Sequence, residues 1–219
     1  MNIVANTADE LFERVIENVL HYPVNDKNVS HEIINANLQL TDPTRNTMCE
    51  CIRKMPIRYA IGELLWYNSR NITWKAIEPF SKFWKNLSDD GEHVNSNYGW
   101  CIHDKYTFDQ WTMVVNLLKS TPNSRQAVIH IKEPRDVIKR PTKDLNCTLT
   151  LQFLIRENKL DMIVNMRSND IWLGLPYDVF NFTCMQIQMA MELGVDIGTY
   201  YHNAASLHLY KHDLEKIVC

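Results

Sequence analysis

The chain has 219 residues, of which 45% are hydrophobic and 22% charged, a composition typical of a globular protein with a sizeable core. A net charge of −3 argues against duplex nucleic acid as the main partner, and no apolar run approaches the 18 residues of a membrane-spanning helix. Six scattered cysteines without zinc spacing, behind an N-terminus with no signal pattern, predict reduced thiols, no metal and a cytoplasmic protein.

The first elements are a helix, a loop and a strand. A capping box from Thr7 to Glu10 opens an amphipathic helix that we expect to end near Pro23. A polar loop follows from Val24 to Val29. The strand after it should bury alternate apolar residues, namely Ile34, Ala36, Leu38 and Leu40.

The next segment is predicted to be a helix from Pro56 to Tyr67. Its apolar stripe would comprise Ile57, Ile61, Leu64 and Leu65. Glu63 falls inside this helix and, taken alone, is typical of a solvated glutamate at its edge. The aromatic-rich stretch from Asn71 to Leu87 contains Trp84, which taken alone indicates core packing.

The middle of the chain alternates a helix, a loop and a strand. We expect the helix from Phe108 to Leu118 and the strand from Ala127 to Ile131. The loop between them, Pro122 to Arg125, ends in an arginine that would ordinarily be solvated.

A hairpin is predicted around a polar turn at residues 157–159. The first strand runs from Cys147 to Glu157, and the second from Leu160 to Asn165. In the first strand one face is apolar and comprises Leu149, Leu151, Phe153 and Ile155.

The residues after the hairpin combine a cation, a hydroxyl and an amide at Arg167, Ser168 and Asn169, a composition suited to holding a phosphate. Pro176 then fits the first turn of a helix that carries Asp178.

The last predicted elements are a helix from Val179 to Leu193, closed by Gly194, a strand from Ile197 to Ala204 and a short helix from Leu207. Without repeats or a Gly/Ser-rich linker, residues 1–219 are expected to form one α+β domain.

Six ordered blocks resemble thymidylate synthases and their pyrimidine hydroxymethylase relatives over roughly residues 8 to 215. They are Glu63–Trp66, Asn95–Trp100, Asn123–Arg125, Cys147, the run Arg167–Asp170 with Gly174 and Asp178, and Ser206–Tyr210. The resemblance implies a large mixed β-sheet with flanking helices and a homodimer formed through the sheet.

The resemblance also implies roles for individual residues. The catalytic residues would be Cys147, Glu63, Asp178 and Tyr98. The nucleotide would be bound by Arg125, Arg167, Ser168, Asn169, Asp170, His208 and Tyr210, with Arg125 reaching the partner's phosphate site. The co-substrate 5,10-methylenetetrahydrofolate would contact Trp84, Asp170 and Gly174.

Several positions depart from the thymidylate synthase pattern. Gln126 stands where a second phosphate arginine is usual, and Leu87 where a second tryptophan lines the folate pocket. Lys27 is the one cation in a loop that carries a phosphate arginine in the family, so Lys27 or Arg45 would supply that contact. The chain ends at Cys219, where thymidylate synthases continue into a tail over the ligands, so we expect a different lid or none.

Cys147 is the candidate nucleophile, because a thiolate that adds to C6 of a pyrimidine makes C5 reactive toward a folate methylene. Arg125 or Arg167 would lower its pKa. Thymidylate synthases have asparagine at the position of Asp178, where the amide matches uracil. An ionised carboxylate only accepts hydrogen bonds, and therefore matches the cytosine amine and a protonated N3.

The product is the last expectation from the sequence. Thr148 follows the nucleophile where histidine is common in thymidylate synthases, and this pair resembles phage-type deoxycytidylate hydroxymethylases. We therefore predict that dCMP becomes 5-hydroxymethyl-dCMP by methylene transfer and water addition. The alternatives are reductive methylation to 5-methyl-dCMP or dTMP, CMP as substrate, and a non-catalytic nucleotide-binding or RNA-binding dimer.

Overall fold

The computed structural model describes residues 1–25, 29–133, 136 and 142–218. Within these residues the strands are β1 Asn2–Ala5, β2 Val24–Asn25, β3 Ser30–Leu40, β4 Val128–His130, β5 Thr148–Arg156, β6 Lys159–Met166, β7 Asn169–Asp170 and β8 Asp196–Tyr210. The α-helices are α1 Ala8–Val19, α2 Ile57–Ser69, α3 Tyr98–His103, α4 Gln110–Ser120, α5 Leu175–Leu193 and α6 Lys211–Val218.

The described strands form one mixed sheet of eight, in the order β1-β3-β8-β6-β5-β4, with β2 on β3 and β7 on β8. The pairs β1–β3, β6–β8 and β7–β8 are parallel, and the other pairs are antiparallel. The α+β prediction is confirmed. Helix α5 packs on β6 and β8, which brings its first turn close to β7.

The N-terminal helix begins as predicted, because the Thr7 hydroxyl accepts a hydrogen bond from the Glu10 amide. The strand after it differs from the prediction: Ile34 is 67% exposed, whereas Ile33 is buried. Asn35 has a φ of 56°, a left-handed conformation that reverses the alternation of side chains. The predicted loop also contains the two-residue strand β2.

The predicted apolar stripe of α2 is wrong, because Ile61 and Leu65 are 45% and 55% exposed. The helix instead buries Ala60, Glu63 and Trp66. Gly62 permits close packing there, since a Cβ atom would lie 2.2 Å from the Phe80 ring.

The β5–β6 hairpin is confirmed, with Glu157 and Asn158 at φ of 50° and 61° in its turn. A register shift between Thr148 and Thr150 was not predicted. It buries Thr148 completely and leaves Leu149 only partly buried, so the prediction that Leu149 lies on the core face is wrong.

Other boundaries also move. Helix α3 was not predicted, and α4 begins after its cap Asp109 rather than at Phe108. Helix α5 begins at Leu175, four residues before the predicted start, with Pro176 in its first turn. The predicted helix at Leu207 is wrong, because β8 continues to Tyr210.

Candidate active site

Cys147 lies immediately before β5 in a loop that Arg167 holds in place. The Arg167 amide donates to the Cys147 carbonyl at 2.9 Å. Its guanidinium donates to the carbonyls of Asn146 at 3.1 Å and Leu145 at 2.8 Å. Arg167, predicted to bind phosphate, therefore also fixes the backbone that carries the thiol.

A buried carboxylate ties the same loop to the segment before α3. Asp144 accepts hydrogen bonds from the amides of Asn95 at 2.5 Å and Ser96 at 2.9 Å, and from the Ser96 hydroxyl. The loop of Cys147 is thus held from both sides, which favours a fixed position for the nucleophile.

Burial raises the pKa of the Cys147 thiol above its ordinary value. Arg167 and Lys132 oppose this rise, whereas Asp178 and Asp144 add to it. The expectation of a lowered pKa is therefore wrong in its net direction, although Arg167 acts as predicted. The thiol needs a base, or a change in its surroundings on ligand binding, to become a thiolate.

Tyr98, the first residue of α3, is stacked between the rings of Tyr67 and Phe182, with centroid distances of 5.2 and 5.7 Å. Its hydroxyl accepts a hydrogen bond from Thr148 at 3.0 Å. This contact depends on the register shift in β5, which turns Thr148 toward the core. Burial raises the Tyr98 pKa well above its ordinary value, so the phenol keeps its proton.

Glu63 is only 5% exposed, and each of its carboxylate oxygens accepts a hydrogen bond. Tyr59 donates to Oε1 at 2.7 Å and Asn181 donates to Oε2 at 2.8 Å. Burial raises the Glu63 pKa to about 7 despite these bonds. Trp84 joins the cluster because its indole donates to the Tyr59 hydroxyl at 3.1 Å.

Asp178 lies in the first turn of α5, partly buried. Asn169 donates to its Oδ2 at 2.7 Å. Burial raises the Asp178 pKa to about 8, with a further rise from Glu63 and a fall from the Asn169 bond. Gly174 leaves room for this contact, since a Cβ there would lie 3.0 Å from Asn169 Nδ2 and 3.3 Å from Asp178 Oδ2.

A chain of hydrogen bonds continues from Asn169 into the core. Its Oδ1 is 3.0 Å from His202 Nε2, and His202 Nδ1 is 2.8 Å from the Tyr200 hydroxyl. Both rings are fully buried, and burial lowers the His202 pKa to about 4. Neither Tyr200 nor His202 was predicted from the sequence as a site residue.

Two further residues, Tyr59 and Asn181, were also missed. Helical spacing could have found them, because Tyr59 is four residues before Glu63 and Asn181 is three after Asp178. Strand alternation could have found Tyr200 and His202 in the same way.

Strand register brings Asp170 beside His208. Asp170 Oδ1 accepts hydrogen bonds from the Trp172 and Leu173 amides, both at 2.8 Å. The Nδ1 atom of His208 is buried and has no hydrogen-bond partner among the described residues. Its ring packs against Tyr210 at 5.0 Å, so this predicted pair is brought next to Asp170.

The remaining predicted phosphate ligands are less enclosed. Ser168 is partly buried, and Arg125 is exposed in the loop before β4. Gln152, which alternates with the buried Phe153, donates to the Arg125 carbonyl at 2.9 Å. Arg125 thus borders the sheet face opposite that buried side chain. Arg45 is exposed, and Lys27 lies outside the described residues.

Metal sites and membrane-spanning helices are two further features to consider. Among the described residues, no three or more His, Cys, Asp or Glu side chains are grouped so that they could hold a metal ion. No helix in the described part of the chain is long and apolar enough to cross a membrane.

Known proteins resemble this chain in sequence and in fold. Residues 10–218 match the thymidylate synthase family. The chain is 33% identical over 194 residues to the deoxyuridylate hydroxymethyltransferase of Bacillus phage SP01, covering 83% of this chain and 51% of that protein. It is 31% identical over 163 residues to the deoxycytidylate 5-hydroxymethyltransferase of Enterobacteria phage T4, covering 69% of this chain and 66% of that protein.

The chain therefore spans about half and just under two thirds of the lengths of these relatives. Among solved structures, the thermostable thymidylate synthase A from Bacillus subtilis has a similar fold. The TM-score is 0.80 at 19% identity, over 96% of this chain and 82% of that chain.

Proposed function

Because the chain belongs to the thymidylate synthase family, we propose that it transfers a one-carbon unit from 5,10-methylenetetrahydrofolate to C5 of dCMP, forming 5-hydroxymethyl-dCMP. The observation that carries the choice of base is Asp178 in the first turn of α5, where Asn169 donates to Oδ2 and burial raises the carboxyl pKa to about 8. The reaction would take place in the cytoplasm, which is the host's if the chain is viral.

Asp178 would select and activate cytosine through the proton that its carboxyl holds. A neutral carboxyl can donate its proton to N3 of cytosine while its second oxygen accepts from the exocyclic amine. Transfer of that proton leaves a carboxylate paired with a protonated ring, and no further proton is needed. The positive charge on the ring withdraws electrons from C6, which favours attack by Cys147.

The covalent step uses the Cys147 thiolate, which adds at C6 and places the electron pair at C5. The folate supplies an electrophilic methylene that bonds to C5. Loss of the C5 proton, together with breakage of the bond between the methylene carbon and the folate nitrogen, releases tetrahydrofolate and leaves an exocyclic methylene on C5. Water adds to this methylene and gives up a proton while the Cys147–C6 bond breaks. The product is heavier than dCMP by CH₂O, and no hydride is transferred.

Glu63 and Tyr98 are suited to moving the protons of these steps. A carboxyl with a pKa of about 7 can both take and give a proton near neutral pH. Tyr98 accepts from Thr148 and keeps its own O–H, which can therefore donate to a water or to the base. These two groups would serve removal of the C5 proton and addition of water.

The folate would lie against Trp84, near Asp170 and Gly174. Asp170 fits this role because only its Oδ1 has described hydrogen bonds, so Oδ2 can accept from the amino and ring N–H groups of a pterin. Trp84 is 9% exposed and turns its indole N–H toward Tyr59, so its remaining surface can form an apolar wall.

The nucleotide phosphate would be bound by Arg167 and Ser168, and the sugar by His208 and Tyr210. Asn169, predicted as a phosphate ligand, instead directs both polar atoms of its buried amide at Asp178 and His202. Arg125 would reach the phosphate of a second copy, which makes the active unit a homodimer. The position of Arg125 beside Gln152 at the sheet surface supports this arrangement.

A second candidate is hydroxymethylation of dUMP. It is favoured by the 33% identity to a deoxyuridylate hydroxymethyltransferase. A neutral carboxyl can also pair with uracil, by accepting from N3–H and donating to O4.

The test is tritium release from [5-³H]dCMP and [5-³H]dUMP with methylenetetrahydrofolate, followed by the product mass. Release from dCMP with a gain of CH₂O is the expected result. A gain of CH₂ with dihydrofolate formation would indicate reductive methylation. Release from dUMP alone would support the second candidate. Release from neither would refute both and leave CMP or a non-catalytic dimer.

A further inference from the structure

We propose that Tyr200 and His202, here called the Tyr200–His202 pair, hold the Asn169 amide in one orientation and thereby determine which pyrimidine base Asp178 accepts. This inference rests on the proposed function. Both are positioning residues, because they act on the base through Asn169 and Asp178.

The hydrogen bonds that link Asp178, Asn169, His202 and Tyr200 show which atom of each group carries a proton. Asn169 directs Nδ2 at Asp178, so its Oδ1 faces His202 and requires a donor there. A neutral imidazole carries one proton, which must then be on Nε2. Nδ1 is left as an acceptor, and the Tyr200 hydroxyl donates to it at 2.8 Å. The fully buried position of His202 and its pKa of about 4 keep the ring neutral.

The same series of hydrogen bonds determines which oxygen of Asp178 carries the acidic proton. Oδ2 accepts from Asn169, so in the neutral acid the proton resides on Oδ1. Cytosine presents a donor at C4 and an acceptor at N3, whereas uracil presents the reverse pair. A carboxyl with a fixed donor oxygen and a fixed acceptor oxygen therefore matches only one of the two bases in a given binding pose.

Without the Tyr200 hydroxyl, no group donates to His202 Nδ1. The hydrogen bond that favours the Nε2–H tautomer is then lost. With the proton on Nδ1, Nε2 becomes an acceptor and the Asn169 amide turns over, so that its oxygen faces Asp178. Oδ2 must then carry the proton, which exchanges the donor and acceptor positions that the base meets. An amide flip needs no extra volume, which matters because Gly174 already lies close to Asn169 Nδ2.

The experiment compares kcat/KM for dCMP and dUMP in the full chain and three variants. Tyr200→Phe should shift the preference ratio about tenfold toward the base that the wild type disfavours, the scale of one hydrogen bond. His202→Gln should keep the ratio within about threefold, because its amide retains one donor and one acceptor. Thr183→Val, which removes a buried hydroxyl from the same helix as Asp178, should lower stability without changing the ratio.

An unchanged ratio in a folded Tyr200→Phe protein would overturn the inference, as would an equal shift in Thr183→Val. A wild type that prefers dUMP would refute the proposed substrate, while a shift toward dCMP in Tyr200→Phe would still support the pair. Imidazole ¹⁵N chemical shifts of the wild-type protein give a check that needs no variant. The expected Nε2–H tautomer of His202 supports the inference, and an Nδ1–H tautomer contradicts it.

Discussion

The candidate site has a base-reading end, around Glu63 and Asp178, and a phosphate end, around Arg125 and His208. The two ends differ in how many of their polar groups already have hydrogen-bond partners within one chain. At the base-reading end, Glu63 and Asp178 receive hydrogen bonds from Tyr59, Asn181 and Asn169. At the phosphate end, Arg167 is held by two backbone carbonyls, but Arg125 is exposed and His208 Nδ1 is buried with no partner among the described residues. Under the proposed function, base recognition would be pre-organised by the fold, whereas phosphate and sugar binding would depend on the ligand and a second copy.

The largest expected effect is at Cys147, the candidate nucleophile. Cys147→Ser should reduce turnover by at least roughly 10⁴-fold, because the covalent step is lost, while the exposed Cys49→Ser should stay fully active. Tritium release from [5-³H]dCMP measures both. Wild-type turnover in Cys147→Ser would rule out the covalent mechanism.

Asp178→Asn tests the base-reading end alone. An amide can hydrogen-bond to N3 of cytosine but cannot transfer a proton to it, so the ring is no longer activated, whereas uracil needs no protonation at N3. We expect the dCMP to dUMP ratio of kcat/KM to fall roughly 100-fold, the lower end of what a positioned proton donor contributes. A variant that keeps the wild-type ratio would remove Asp178 from base selection.

Arg125→Ala tests the phosphate end. We expect KM for the nucleotide to rise about tenfold with a small change in kcat, as for a lost charge-assisted hydrogen bond. Arg156→Ala is the matched control, because that exposed arginine donates to the neighbouring Ile155 carbonyl at the hairpin.

Mixing two variants tests directly whether Arg125 of one subunit acts in the site of a second copy. A heterodimer of Arg125→Ala with Cys147→Ser chains has one site with an intact thiol and the partner's intact arginine. The mixture should therefore regain wild-type KM in that site. No recovery after subunit exchange, or a fully active monomer in sedimentation, would place Arg125 outside the partner's site.

The last predicted effect is on stability rather than on activity. The pKa of Asp178 is raised to about 8, so the folded state holds a proton that the unfolded chain releases above its ordinary pKa near 4. This stabilisation is complete below about pH 4 and is lost as pH rises toward 8, by at most about 1.4 kcal/mol per pH unit. Denaturant unfolding from pH 5 to 8 should show a steeper fall for the wild type than for Asp178→Asn, and equal slopes would contradict the raised pKa.

Much of the fold followed from local sequence patterns. The Thr7 cap, the β5–β6 hairpin and the helix closed by Gly194 depend on neighbouring residues, and the structure confirms each of them. The errors arise where a single irregular residue changes the side-chain phase. Asn35 exposes Ile34, and the shift near Thr148 moves a hydroxyl to Tyr98, neither of which alternation alone reveals.

The candidate site was predictable only in part for a related reason. Motif positions identify Glu63 and Asp178, but their raised pKa values come from burial by distant segments. Asn181 lies 118 residues from Glu63 in sequence, and His202 lies 33 residues from Asn169. Such contacts depend on sheet order and helix packing, which local patterns do not contain.

Direct competition between the two bases tests the central claim most closely. Equimolar dCMP and dUMP are given to the wild-type chain with saturating methylenetetrahydrofolate, and early products are quantified by mass. An Asp178 that transfers its proton to N3 of cytosine predicts 5-hydroxymethyl-dCMP in excess over any product from dUMP. An excess of the uracil product would contradict the assignment of this site to cytosine.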